Sequence, residues 1–359
     1  MSGAVDSIPK VTINDVKQIL RTLVGDISGD ESQGIFLWGP PGIGKSALVK
    51  QLALEKGRPL VDIRLPLMDP VDLRGLPMID KERLQAVWLP PDFLPPADSP
   101  PGILFLDEIN AAPPAIQASA YQLILDKGIG TYKLPKGWIV IAAGNRVSDR
   151  SVAYKLPSAL ANRFTHLEID PNITDWIAWA WKNSIDPMVI SFLKLQPHLL
   201  TKFDPKTNHT AFPSPRSWVF VSKLLKLRDQ NLVLYMNTVK GTVGEAASHQ
   251  FLAFLNYRDE IPDPEDILSG EPYDIPTQID AQYVLMGAII SALLGKISSE
   301  RITSFFAYVS QFENTQYSDY AVVVVKEALN AFIQRGIGDD IMKHKEFDKF
   351  LERNAVKMS

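Results

Sequence analysis

Short apolar runs at Gly34–Trp38 and at residues 60–65, 103–106, 138–143 and 165–169 recur along the first half of the chain. Between them, residues 46–55 and 113–127 have helix-favouring composition, the second with proline near its start and Gly128 just past its end. Continuous apolar runs alternating with helical stretches mark a parallel sheet covered on both faces. The expected fold class is α/β, a three-layer core around a five-stranded parallel sheet.

From Asn172 onward the β-branched runs thin out, and residues 173–183, Pro187–Leu195, 215–227 and 243–255 predict an all-helical domain. Between Arg258 and Pro276 seven acidic residues and four prolines face a single base, which predicts an exposed acidic connector. Helical patterns at about 279–294, 298–312, 317–335 and 341–354 follow. The expected organisation is thus 1–171, 172–257 and 258–359: an α/β core, a helical domain, and a connector with a C-terminal helical extension.

Composition removes several classes of function. The 359 residues are 46% hydrophobic and 22% charged, enough to bury a substantial core. Lys and Arg total 37 against 41 Asp and Glu, a net charge of -4, so no global basic field would draw in nucleic acid or an anionic membrane. The absence of cysteine rules out disulfides, thiolate metal sites and cysteine nucleophiles, and suits a reducing compartment. Residues 1–10 lack a signal-peptide pattern, and the longest nearly apolar stretch, residues 284–294, is far short of the ~20 that span a bilayer. A cytoplasmic protein with no membrane insertion is expected.

The candidate chemistry begins at Gly39, Pro40, Pro41, Gly42, Ile43, Gly44, Lys45 and Ser46, which fit G-x4-G-K-[ST] between an apolar strand and a helix. Such a loop curls so that its N–H groups, and that of Ala47 at the helix start, face phosphates. Lys45 would reach the β- and γ-phosphates, and the Ser46 hydroxyl would hold Mg²⁺. Asp107 lies 62 residues after Lys45, where a buried-strand run ends in Asp107-Glu108 and puts both carboxylates at the carboxyl edge of the sheet. This is the Walker B pattern: Asp107 for the metal, Glu108 for the base that polarises the attacking water. A further strand runs into Gly144-Asn145, placing an amide at the same edge to bond the water or γ-phosphate.

With these motifs in this order, the sequence resembles AAA+ ATPases, whose Walker A, Walker B and "sensor 1" asparagine lie on neighbouring strands. The run Leu156-Pro157-Ser158-Ala159, followed by Arg163-Phe164, is similar to the MoxR and dynein-related branch. The resemblance implies that Arg163 is an arginine finger reaching a neighbouring subunit's nucleotide; Arg146 and Arg150 are rivals for that role. It also implies that Arg216, in Ser214-Pro215-Arg216, contacts the γ-phosphate as "sensor 2" from a helical lid. Residues 70–77 with a hairpin around 78–88, and the segment 128–134, resemble the hairpins that line the pore in this branch.

The likeness covers about residues 11–257. It implies an ATP- and Mg²⁺-dependent ring, usually hexameric, that remodels or activates a partner protein in a chaperone-like way, often one with a von Willebrand factor A domain. Two alternatives are a nucleic-acid motor subunit of a restriction or defence assembly, against which the acidic balance argues, and a scaffold whose nucleotide only fixes assembly. Trp176, Trp179 and Trp181 are expected to pack a core, and the five histidines show no metal-ligand spacing.

Overall fold

The computed structural model describes residues 8–26, 33–82, 85–146, 154, 156–204, 210–228 and 230–358. The chain divides into two compact units, Met1–Asn172 with Phe203–Asn208, and Ile173–Lys202 with His209–Ser359.

The first unit runs β1 (Lys10–Val11), α1 (Ile13–Asp26), β2 (Gly34–Trp38), α2 (Lys45–Glu55), β3 (Leu60–Arg64), α3 (Pro70–Arg74), β4 (Leu76–Asp80), β5 (Gln85–Leu89) and β6 (Ile103–Asp107). It continues with α4 (Pro114–Leu125), β7 (Gly128–Ile129), β8 (Tyr132–Lys133), β9 (Ile139–Gly144), α5 (Ser158–Ala161) and β10 (Phe164–Ile169). Six strands form one parallel sheet in the order β1-β10-β2-β9-β6-β3. The five expected strands are all present, and the sixth is the edge strand Lys10–Val11, too short to register as an apolar run. Strand alternation divides the core: Ile35, Leu37, Phe105 and Ile141 face α1 and α2, whereas Phe36, Leu104, Leu106 and Val140 face α4. Helix α1, absent from the sequence reading, begins at a reciprocal cap in which the Thr12 and Asp15 side chains each accept from the other's backbone N–H.

The second unit is entirely helical: α6 (Ile173–Lys182), α7 (Pro187–Leu195), α8 (Pro215–Leu224), α9 (Leu232–Val243), α10 (Glu245–Asn256), α11 (Pro264–Ser269), α12 (Ile279–Gly295), α13 (Ser299–Ser310), α14 (Ser318–Gln334), α15 (Gly338–Met342) and α16 (Lys345–Met358). A single cluster of buried side chains runs from Trp176 to Phe350, so residues on both sides of 257/258 share one core. The stretch expected as an exposed connector contributes to it. Asp263 caps a short helix whose apolar pair, Ile267 and Leu268, is buried, and Ile275 beyond that helix is buried as well. Helix α9 was not foreseen, its first turn of Leu232, Val233, Leu234 and Tyr235 being apolar throughout and without helical periodicity. The pattern at 341–354 resolves into α15 and α16. Trp176 and Trp181 are buried and Trp179 packs partly buried against the same cluster. No helix among the described residues is long and apolar enough to cross a membrane.

Candidate functional site

Strand β2 delivers the chain to the loop Gly39–Ser46, and α2 starts at Lys45. Gly42 (φ 79°) and Gly44 (φ 109°) hold backbone conformations that side chains rarely adopt, which lets the loop curl over. A Cβ on Gly44 would meet nothing within 4 Å, so its backbone angle and not crowding is what favours glycine there. Lys45 is only 8% exposed; its Nζ donates to the Gly39 carbonyl at 2.6 Å, the Pro40 carbonyl at 3.2 Å and Asn145 Oδ1 at 3.0 Å. A buried ammonium held by carbonyl and amide oxygens is a cation prepared for an anion.

The central strand β6 ends at Asp107, which is 5% exposed. Asp107 Oδ2 accepts from Ser46 Oγ at 2.7 Å, joining the start of α2 to the end of β6, and Oδ1 accepts from the Glu108 backbone N–H at 3.0 Å. Glu108 has φ 56°, a left-handed conformation unfavourable for a residue with a Cβ, and its side chain is exposed. Strain of this kind projects the carboxylate out of the sheet edge instead of continuing the strand. One hydroxyl and one carboxylate are the donor set that Mg²⁺ takes from a protein when phosphates and water complete its shell. The residues present therefore fit that ion.

Sheet order explains how Asn145 joins this group. Strand β9 inserts between β2 and β6, pairing Trp38 with Gly144 and Leu106 with Ala142. The next residue, Asn145, then lies beside both the loop and Asp107. Its orientation is set by Asn110, which the sequence reading missed. Asn110 is 1% exposed; its Nδ2 donates to the Asn145 carbonyl at 2.6 Å and its Oδ1 accepts from the Asn145 N–H at 3.2 Å. A Cβ on Gly144 would come within 2.4 Å of Asn110 Oδ1, so glycine there makes the pairing possible. The available signal was an asparagine two residues past a strand-ending Asp-Glu, in a position where helix or turn formation alone does not require it.

Of the three arginines weighed for action in trans, Arg146 is engaged within the unit: its guanidinium pairs with Glu168 at 2.9 Å. Arg150 lies outside the described residues. Arg163 is exposed and makes no side-chain hydrogen bond or ion pair to another described residue. Its backbone N–H donates to Leu160 O at 3.1 Å, and two residues earlier the Ala161 carbonyl meets His166 Nε2 at 2.8 Å. The other His166 nitrogen accepts from Trp38 Nε1 at 2.9 Å. Because an indole N–H only donates, Nδ1 must be unprotonated and Nε2 carries the hydrogen. Thus Trp38, next to the phosphate loop, is wired through one imidazole to the helix end bearing Arg163. From the sequence, His166 showed only the lack of metal-ligand spacing it shares with the other four histidines. Arg216 lies in the second unit, in the first turn of α8, where Ser214 forms a capping box with Ser217.

Both expected hairpins are present. Strands β4 and β5 pair antiparallel, as do β7 and β8. The first carries exposed Leu76, Ile79 and Trp88, and Trp88 lies 3.6 Å from where a Cβ would stand on Gly130, at the turn of the second.

A strand-loop-helix phosphate cradle, a paired Ser and Asp, and an asparagine strand inserted between them define a P-loop nucleoside triphosphatase module. Residues 35–170 match the family described as ATPase family associated with various cellular activities (AAA). This segment is accordingly an AAA ATPase domain that binds and hydrolyses ATP. Among solved structures, a RuvB mutant of Thermotoga maritima is 17% identical over 82% of this chain and 88% of its own, with a TM-score of 0.39. The Thermotoga maritima RuvB Holliday junction branch migration motor is 18% identical over 81% and 86%, with a TM-score of 0.37. The assignment rests on the family match and the geometry of the site.

Proposed function

We propose that the protein is an ATP-driven, MoxR-like ring ATPase that remodels or activates a partner protein. The observation that carries this reading is Arg163: exposed and without a side-chain partner among the described residues, at the edge of the sheet where β10 begins, opposite the edge that carries the phosphate loop. An arginine with no side-chain partner among the described residues of its own subunit suits a neighbour's γ-phosphate, where a finger contributes on the order of 10³ to 10⁵ in rate.

In this reading Lys45 neutralises the β- and γ-phosphates and Ser46 with Asp107 holds Mg²⁺. The ion supplies charge neutralisation at the transferring phosphoryl group. Glu108 accepts the proton of the attacking water, Asn145 orients that water, and Arg216 reports on the γ-phosphate from the helical unit. The exposed apolar hairpins, β4–β5 above all, contact the client, and a von Willebrand factor A domain protein is the expected partner. A hexamer in the cytoplasm is the expected form.

The test is ATP hydrolysis per subunit across a range of protein concentrations, for wild type and Arg163→Ala. Specific activity that rises with concentration, and is abolished by the substitution while nucleotide binding persists, supports sites completed between subunits. Activity flat with concentration and unaffected by the substitution overturns it.

A further inference from the structure

The helical unit holds a concave site of its own, none of whose lining residues belongs to the nucleotide motifs. A cleft of about 840 Å³ lies between the α6–α7 turn, the end of α8, residues 258–264 and α12. Its volume is that of a ligand-sized site. Ile185, Met188, Leu225 and Ile261 give it an apolar floor, while Lys223, Lys226, Arg258 and Arg335 stand at its exposed edge. Lys223, Lys226 and Arg258 make no hydrogen bond or ion pair to any other described residue. Arg335 donates Nε to the Trp181 carbonyl at 2.9 Å. The two carboxylates in the wall each cap a helix, Asp186 Oδ1 accepting from Met188 N at 2.8 Å and Asp263 Oδ1 from Glu265 N at 2.9 Å, and Asp186 also feels the charge of Arg258, so four cations face two acids. A chain of net charge -4 thus gathers four cations around one apolar hollow.

We propose that this cleft docks an acidic segment of a partner protein, with Asp or Glu side chains against the cations and an apolar side chain on the floor. Charge complementarity of this kind would steer the encounter and fix register, and the floor would add apolar burial. Other anions fit less well. Among the described residues no aromatic side chain lines the cleft, so a nucleobase would find nothing to stack on, and no glycine turn presents N–H groups to a phosphate. An inorganic ion would leave the apolar floor unused.

The inference goes beyond the ATPase reading and does not depend on turnover. It is tested with the full chain, without nucleotide, on an array of fluorescent 12-residue peptides in which acidic and apolar content vary independently. Binding is expected only where both are present. It should weaken at least tenfold from about 50 to about 300 mM salt, and at least tenfold again in the triple variant K223E/K226E/R258E. Circular dichroism and basal ATP hydrolysis should be unchanged in that variant. If the triple variant is poorly folded, Lys226→Ala and Arg258→Ala alone should each weaken binding several-fold. Acidic peptides that bind no better than neutral ones, or binding that survives charge reversal, would overturn the proposal. So would displacement of the peptide by millimolar inorganic phosphate, or a single-stranded oligonucleotide that binds more tightly and loses affinity in the same variants.

Discussion

Glu108 combines a strained backbone with an exposed carboxylate at the strand end, and the two properties can be separated by substitution. Glu108→Gln should lower the ATP hydrolysis rate by about 10² to 10⁴ with nucleotide binding retained, since only proton acceptance is lost. Glu108→Asn should be equally inactive but more stable by up to about 1 kcal/mol, because asparagine tolerates φ 56° better; thermal melting checks it. Asn110 gives the opposite prospect. Asn110→Ala leaves both backbone groups of Asn145 without their partner, which should cost about 2 to 3 kcal/mol. It should also reduce hydrolysis more than nucleotide affinity, as a misdirected Asn145 would. Asp186 offers a pH test. Burial raises its carboxyl above the usual range, with the Met188 amide and Arg258 pulling the other way. A carboxyl that keeps its proton to higher pH when folded favours the fold at acid pH, and that contribution is lost as pH rises through the folded pKa. Asp186→Asn, which retains the capping oxygen, should therefore raise the melting temperature near pH 7 and lose its advantage on acidification.

Among the elements, α5 is a single turn of four residues, too short to hold its own position. It is tied to the phosphate-loop strand by the Trp38–His166–Ala161 chain, reinforced by Phe36 stacked on Trp38 with centroids 4.1 Å apart. His166→Phe preserves the stacking but strands the indole N–H and the Ala161 carbonyl. A loss of about 1 to 3 kcal/mol is expected, with a fall in concentration-dependent hydrolysis that exceeds any loss of ATP affinity. Elsewhere the sequence marked elements through their starts. The prolines that open α8 and α4 were readable because helix starts are local chemistry, whereas Gly128, expected just past the end of the second helix, opens β7 after α4 has ended at Leu125. Helix α9, capped by Asn231 but opening on exposed Leu232, Val233 and Leu234, was not readable. Its partners are the neighbouring helices α8 and α10, not anything within its own window.

At the scale of the whole chain, the helical unit is one cooperative body with a shared core. Ending the chain after residue 257 would remove Val284, Ile289, Phe305 and Phe332, all at 0 or 1% exposure, from the cluster that Trp181 and Phe254 also occupy. The shortened chain should lose near-ultraviolet circular dichroism from its tryptophans and bind a hydrophobic dye, with nothing like a clean loss of one terminal function.

By itself, the sequence determined the phosphate loop, the strand-ending Asp107-Glu108 and the α/β alternation. Each depends on residues close together in the chain, where spacing and backbone preference act directly. Tertiary structure alone decided that β9 lies between β2 and β6, that Asn110 holds Asn145, that Arg146 is committed to Glu168, and that an acidic, proline-rich stretch helps to fill a core. These outcomes turn on which side chains meet across long sequence separations. Pairing of that kind follows from sheet order and the closure of a common core, and no local pattern encodes it.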